Sequence, residues 1–427
     1  MRINRRQFLG RCSGAMIVAG AAASGPVFGA NNRVRMAAVG VNGRGWAHAR
    51  EVIASDNAEL VALCDVDSAV LEARASEVKK LTGRTPAAYQ DIRDLLADDG
   101  VDAVSFATPN HWHVLGSIWA MQAGKDVYCE KPISHTVWEG RQLAAAAKKY
   151  GRVLQHGTQR RSEPEWQRIV ERARSGVIGD IYMVRCPIFR RRESFSYPRQ
   201  EEPPDRLDWK LWQGPATEKP FSRNYVHYRW HWFWHYGNGE IGNNGPHRTD
   251  LANWILDKGL PVETYSTGGI FGYKEDARQT PNTQTAVHTF ADGTILTIDV
   301  RNRFTNSEGG MLMLYGSEGH MADRTFYDKD DKPIPDDQSP PKVDASREHF
   351  AAFFRAVQNQ DPAAVPANAE QGHVAAALCH LGNIAYRVGR SLRFDPDKER
   401  FIDDPEADKL LTREYRSGFE VPDINKL

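Results

Sequence analysis

Three stretches of this chain hold residues whose types and spacing suit chemistry, and the first is the turn VGVNGRG at 39–45. Gly40 and Gly45 take the first and third positions of a G-x-G-x-x-G pattern, and Asn42 takes the second with Gly43 behind it. Asparagine tolerates positive φ better than most residues. A glycine at 43 leaves room for close backbone approach to a pyrophosphate. Arg44 completes the turn, and a helix opening near Gly45 aims its N-terminus at that anion. Asp65 lies 20 residues beyond Gly45, where a carboxylate holds a ribose 2′-hydroxyl and repels a 2′-phosphate. The pattern predicts a bound dinucleotide, NAD rather than NADP, with Arg44 pulling the other way.

The second stretch comprises two turns. In ATPNHWH (107–113), Thr108 and Asn110 are placed to meet a nicotinamide ribose. His111 and His113 either face the same ligand or cap the helix that follows. In YCEKPISHT (128–136), Glu130 and Lys131 end a strand; from residue type alone a surface ion pair is the alternative reading.

The third stretch is YVHYRWHWFWHYGNGEIGNNGPHRTDLANWIL (225–256). Its second half reads as a helix with Pro246 in the first turn, and His247 and Asp250 share one face. Asn243 can hydrogen-bond a substrate but cannot take a proton. In the first half, Trp230, Trp232 and Trp234 alternate with His231 and His235, after His227. An aromatic wall for the C–H faces of pyranoses is one reading. Interdomain packing is another, and a histidine metal site on a helix a third. Gly237–Asn238–Gly239 directly follows, so an extended loop is expected and no metal is assigned.

The elements that must position these residues alternate. Apolar strands are expected at 33–40, 58–65, 101–108, 125–130 and 152–157. Helical patterns lie between them at 45–54, 68–81, 91–97, 111–123 and 136–150. Strands without polar alternation, separated by helices, predict a doubly wound parallel α/β sheet of Rossmann type over 33–157. Beyond it a helix at 165–174 precedes strands at 180–189, 263–271, 283–290 and 294–303, with a hairpin turn at ADGT. A further strand and turn follow in GMLMLYGSEG, then a Pro- and Asp-rich loop at 327–345 and helices near 347–359 and 368–389. Residues 158–390 therefore read as an α+β domain with a mostly antiparallel open sheet. The tail 391–427 is polar.

The fingerprint, the ATPNHWH turn, the E-K-P triplet and the His247 helix together resemble the Gfo/Idh/MocA family of sugar oxidoreductases over roughly residues 33–390. The resemblance implies that Lys131 lies beside the nicotinamide and the reacting hydroxyl, with Glu130 next to it and a cis Lys131–Pro132 bond. It implies His247 as general base. Many relatives carry an aspartate where this chain has Asn243, which leaves Asp250 or Glu240 as candidate helpers. It also implies a substrate-shaping second domain and a homo-oligomer.

Lys+Arg and Asp+Glu both number 55, which argues against a nucleic-acid partner. The five cysteines form no CxxC pair and suggest neither a zinc site nor a disulfide framework. Residues 1–32 carry Arg2, Arg5, Arg6 and Arg11 before an uncharged, Ala- and Gly-rich run from Cys12. NRRQFLG resembles a twin-arginine export signal, with Asn4 where Ser or Thr is usual. The run is too weakly apolar for a membrane span. A basic tail with no address function is the alternative.

The expectation is an exported, periplasmic or cell-envelope enzyme that uses twin-arginine machinery and acts on a carbohydrate hydroxyl. Export limits exchange with free NAD, so a tightly held cofactor is expected. That leaves open a redox-neutral glycosidase working by oxidation, elimination and reduction. A non-catalytic sugar-binding protein on the same fold is the third reading.

Overall fold

A computed structural model describes residues 33–197, 199–303 and 310–426; the expected leader lies outside the described residues. The first domain runs β1 (Val34–Val39), α1 (Arg44–Ile53), β2 (Ala58–Cys64), α2 (Ser68–Thr82), β3 (Ala87–Tyr89) and α3 (Ile92–Leu96). It continues with β4 (Ala103–Phe106), α4 (Asn110–Gln122), β5 (Asp126–Cys129), α5 (Val137–Tyr150) and β6 (Leu154–His156). Among the described residues the strands form a parallel six-stranded sheet in the order β3-β2-β1-β4-β5-β6. The chain crosses over between β1 and β4, and the carboxyl ends of those strands flank the crevice where such sheets hold ligands. Strand β3, only three residues long, was not foreseen: AAY is too short to show a period.

Side-chain caps fix the helix starts. Asp67 accepts from the amides of Ala69 and Val70 at the head of α2, and Thr136 accepts from Glu139 at the head of α5. Gly83 and Gly151 close these two helices in the left-handed region.

The second domain contains α6 (Pro164–Arg174), β7 (Ile181–Phe189), α7 (Trp209–Gln213), α8 (Gly239–Leu256), β8 (Glu263–Gly269), β9 (Thr283–Thr289) and β10 (Ile295–Arg301). Then come β11 (Met313–Gly316), β12 (Gly319–Ala322), β13 (Thr325–Asp328), α9 (Ala345–Asn359), α10 (Ala369–Val388), β14 (Leu392–Asp395) and β15 (Arg400–Phe401). Among the described residues the strands form a nine-stranded sheet, antiparallel except for the β7–β10 pair. Its buried face packs on α8 and α10 through Ile188, Ile241, Ala286, Ile298 and Leu378. Its other face exposes Tyr182 and Tyr265.

Two segments depart from the linear reading. Helix α9 lies against the first sheet, not the second, with Phe350, Phe353, Phe354 and Val357 in one cluster with Val34, Met36 and Tyr128. The tail also returns there. Val421 and Ile424 pack beside Leu143, and the Ile424 amide donates to Gln142 at 2.7 Å. Among the described residues, no helix is long and apolar enough to cross a membrane.

Candidate active site

A cavity of about 620 Å³ opens at the carboxyl edge of the first sheet. Gly40, Asn42, Gly43 and Arg44 line one end with Asp65; Thr108, Asn110, His113, Glu130 and Lys131 line the middle; Asn243 and His247 lie opposite, on α8. The structure therefore gathers residues from four distant stretches around one space.

The glycine turn is shaped for backbone approach. Gly40 has φ +77°, and a Cβ there would sit 2.9 Å from the Ala107 carbonyl oxygen. A Cβ on Gly45 would run into the Gly40 carbonyl, so the turn and α1 touch only because both lack side chains. Gly43 has open space where a Cβ would be. Asp65 accepts from the amides of Val41 and Asp67, at 2.9 and 3.0 Å, so it braces the turn while edging the cavity. Burial pushes its carboxyl up, against the pull of those two amides. Among the described residues the Thr108 hydroxyl is buried with no hydrogen-bond partner, a polar atom the protein alone does not satisfy. Open backbone, a carboxylate at the end of β2 and an orphaned hydroxyl fit an adenine dinucleotide.

Glu130 is no surface ion pair. It is buried and accepts from Arg44 at 2.7 Å, from the Lys131 amide at 3.0 Å and from Gln159 at 3.2 Å, with the His48 ring at 3.0 Å. Burial alone would raise its pKa, but the Arg44 guanidinium and His48 outweigh it and hold the carboxyl well below its usual range. Arg44 is thereby tied to Glu130 rather than free for a 2′-phosphate. Both His113 nitrogens face carbonyl oxygens, Pro132 at 2.6 Å and Thr108 at 2.9 Å, which pins the two turns together. His111 neither caps the helix nor lines the cavity: its ring meets the Trp212 carbonyl at 2.9 Å.

The Lys131–Pro132 bond is cis. The Lys131 ammonium donates to the backbone oxygen and the side-chain oxygen of Asn243, at 2.8 and 3.0 Å. Burial lowers its pKa, and Glu130 and Glu240 partly offset that. Burial, and then the Lys131 charge, hold His247 well below the ordinary histidine value. Its ring is neutral at physiological pH and able to accept a proton. Among the described residues its ring makes no hydrogen bond, and it faces the cavity.

Several expectations change. Helix α8 begins at Gly239, so Pro246 lies inside it instead of in its first turn. A proline there withholds an amide from the Gly242 carbonyl and crowds it, loosening the helix next to the Asn243 oxygen that Lys131 uses. Asp250 is fully buried, paired with Arg161 at 2.9 Å, and does not line the cavity. Glu240 is bound by Arg192 at 2.8 Å. Neither is free to help His247.

The tryptophans also separate. Residues 229–232 form a 3₁₀ turn and Phe233 is extended, so the three rings diverge. Trp230 lines the cavity beside His231, stacked at 3.6 Å. Trp232 is buried against Phe195, and Trp234 lines a different cavity. His227 meets Asp67 and His235 meets the Thr217 carbonyl, so the three histidines have unrelated partners. Gln159, Arg190, His227 and Tyr228 line the site unforeseen. Only Gln159 carried a usable signal, its place just beyond the carboxyl end of β6.

Residues 34–158 match the family described as "Oxidoreductase family, NAD-binding Rossmann fold", and 195–421 match "Oxidoreductase family, C-terminal alpha/beta domain". This architecture is that of a two-domain, NAD-binding oxidoreductase. The chain belongs to the GFO_IDH_MocA family.

Among its relatives, an uncharacterized oxidoreductase of Rhizobium meliloti is 35% identical over 30% of this chain and 37% of its own length. A glycosyl hydrolase family 109 protein of Shewanella baltica is 30% identical over 35% of this chain and 33% of its own. The matches thus span about a third of each of these two relatives. The WlbA dehydrogenase of Bordetella pertussis, solved with NADH and UDP-GlcNAcA, shares the fold at TM-score 0.64 and 21% identity, over 85% of this chain and 99% of that one.

Proposed function

We propose that this protein oxidises a hydroxyl of a sugar or sugar derivative, with Lys131 and His247 as the catalytic pair. One observation carries the reading: Lys131, Asn243 and His247 meet on the wall of the cavity that also holds the glycine turn and Asp65. The turn amides suit the pyrophosphate, Asp65 the adenosine ribose and Thr108 the nicotinamide end. NAD, when bound, supplies the acceptor for the hydride. The chain's own work is proton handling. The neutral His247 ring accepts the hydroxyl proton, and the Lys131 ammonium donates to the oxygen as negative charge gathers on it. Asn243 holds that ammonium in place without neutralising it. Trp230 offers a ring edge and Asn243 an amide to the sugar.

Single-turnover mixing of NAD-loaded protein with a panel of glycosides tests this. NADH absorbance should rise with a substrate, and His247→Ala should slow it about 10²–10⁴-fold. An unchanged rate in that variant rules out His247 as the base.

The Shewanella baltica relative favours a second reading, in which the same site runs oxidation, elimination and re-reduction and cleaves a glycoside without net redox change. Export of the folded, loaded protein by its twin-arginine leader is part of this proposal, as is assembly into a homo-oligomer through the exposed face of the second sheet. Near-stoichiometric NAD released on denaturing the exported protein would support the captive-cofactor cycle.

A further inference from the structure

The cofactor end of the cavity is not built by the first domain alone. Asp65 and Val66, directly after β2, line it together with Trp212, His227 and Tyr228 from the second domain. Asp65 marks the adenosine-ribose end of a dinucleotide site.

The second-domain segment is pinned to the turn after β2. The Ser68 amide donates to the Arg206 carbonyl at 2.9 Å, and the Asp208 amide donates to the Val66 carbonyl at 3.0 Å. These bonds make an antiparallel bridge between Asp67 and Leu207. Val66 packs against the aromatic cluster that contains Trp209, Trp212 and Tyr236. Asp67 sits in this joint, 1% exposed. One of its carboxylate oxygens accepts from the Ala69 and Val70 amides, at 3.1 and 3.4 Å, and so caps α2. The other meets the second domain, with His227 Nε2 at 3.2 Å and Arg206 Nε at 3.3 Å.

His227 thus has one nitrogen in the joint and lines the cavity as well. Its side chain is 29% exposed. Among the described residues its Nδ1 makes no hydrogen bond, and that nitrogen is accessible rather than enclosed. In a neutral imidazole, a ring that donates through Nε2 accepts through Nδ1. Asp65 stands beside the same joint, accepting from the Asp67 amide at 3.0 Å. Burial raises the Asp65 carboxyl, and the Asp67 and Val41 amides and then the nearby His227 pull it back. A carboxylate and an open imidazole acceptor therefore meet at the ribose end, and a ribose diol supplies two hydroxyl donors.

We propose that His227 is a cofactor residue supplied by the second domain, accepting a hydrogen bond at Nδ1 from the adenosine ribose of NAD and latching the two domains over it through Nε2 and Asp67. NAD then leaves only when this latch opens. The proposal rests on the NAD site and is independent of the sugar and of His247.

Stopped-flow fluorescence tests it: full-length protein loaded with NADH is mixed with excess NAD, and the loss of bound-NADH fluorescence reads the release rate. His227→Ala should speed release and weaken NADH at least about 10-fold, the worth of a charge-assisted hydrogen bond and a neutral one, with the melting temperature of the cofactor-free protein unshifted. Asp67→Asn keeps an oxygen for the α2 cap and gives up the one that holds His227, so release should quicken at least about threefold. ADP-ribose, which carries the adenosine ribose and no nicotinamide, should lose the same factor as NADH when His227→Ala is titrated calorimetrically. Unchanged release in either variant overturns the proposal. So does a loss with NADH that ADP-ribose does not share, which would move the effect of His227 to the nicotinamide end. Either failure leaves the roles of Lys131 and His247 standing, because those are read from NADH formation with a glycoside.

Discussion

At the scale of single residues, the Asn243 amide decides how Lys131 behaves. A carboxylate in its place would pair with the ammonium and stabilise it; the amide orients it and leaves its charge for the substrate oxygen. Burial already lowers the Lys131 pKa, so the alkaline limb of kcat/KM should fall at a pH below the 10.5 of an ordinary lysine. Asn243→Asp should move that limb to higher pH and lower the plateau rate, read from a pH–rate profile. On the acid side His247 titrates well below 6.5, so the rate should stay flat through neutral pH. The buried Arg161–Asp250 pair is a separate matter. Asp250→Ala strands the guanidinium and should cost about 3–5 kcal/mol of stability in a denaturant titration, with little change in the pH profile.

At the scale of elements, two packing joints carry the site. Gly45→Ala forces the turn away from α1, so NAD binding should be lost, with a drop in melting temperature as the accompanying readout. Phe350 on α9 stacks on Tyr128 at 4.2 Å and touches His48, which in turn faces Glu130. Phe350→Ala should cost about 3–5 kcal/mol, measured by chemical denaturation, and should weaken NAD binding through that chain. The joint at Gly45 was legible in the sequence, because glycine spacing, an apolar strand and an acid at a strand end are local signals. The joint at Phe350 was not. The phenylalanines of α9 mark an amphipathic helix, but nothing local says which sheet receives them. The same limit explains Trp232 and Trp234: alternation in sequence implied a shared face, and a 3₁₀ turn turned them apart. Asp250 was misplaced for a related reason, since its partner Arg161 lies on a turn far away in sequence.

At the scale of the whole molecule, many histidines are enclosed in neutral form. Burial holds His156 and His380 at about 3, and His288 and His349 at about 4. In the unfolded chain each titrates near 6.5. Below that pH the unfolded state binds protons that the folded state refuses, so stability falls as pH drops, by about 1.4 kcal/mol per pH unit for each such ring. A steep acid transition beginning just below pH 6 is expected, with several protons taken up, and calorimetry across that range would register it.

The return of the tail to the first sheet has a consequence for synthesis. Val421 and Ile424 complete the packing around Leu143, and α9 covers the other side of that sheet. A ribosome releases the nucleotide-binding half before the residues that seal it, which emerge only after most of the second domain's sheet. The earlier domain is thus completed by later residues, and a chain cut before Val421 would leave that half with apolar surface open to chaperones and proteases.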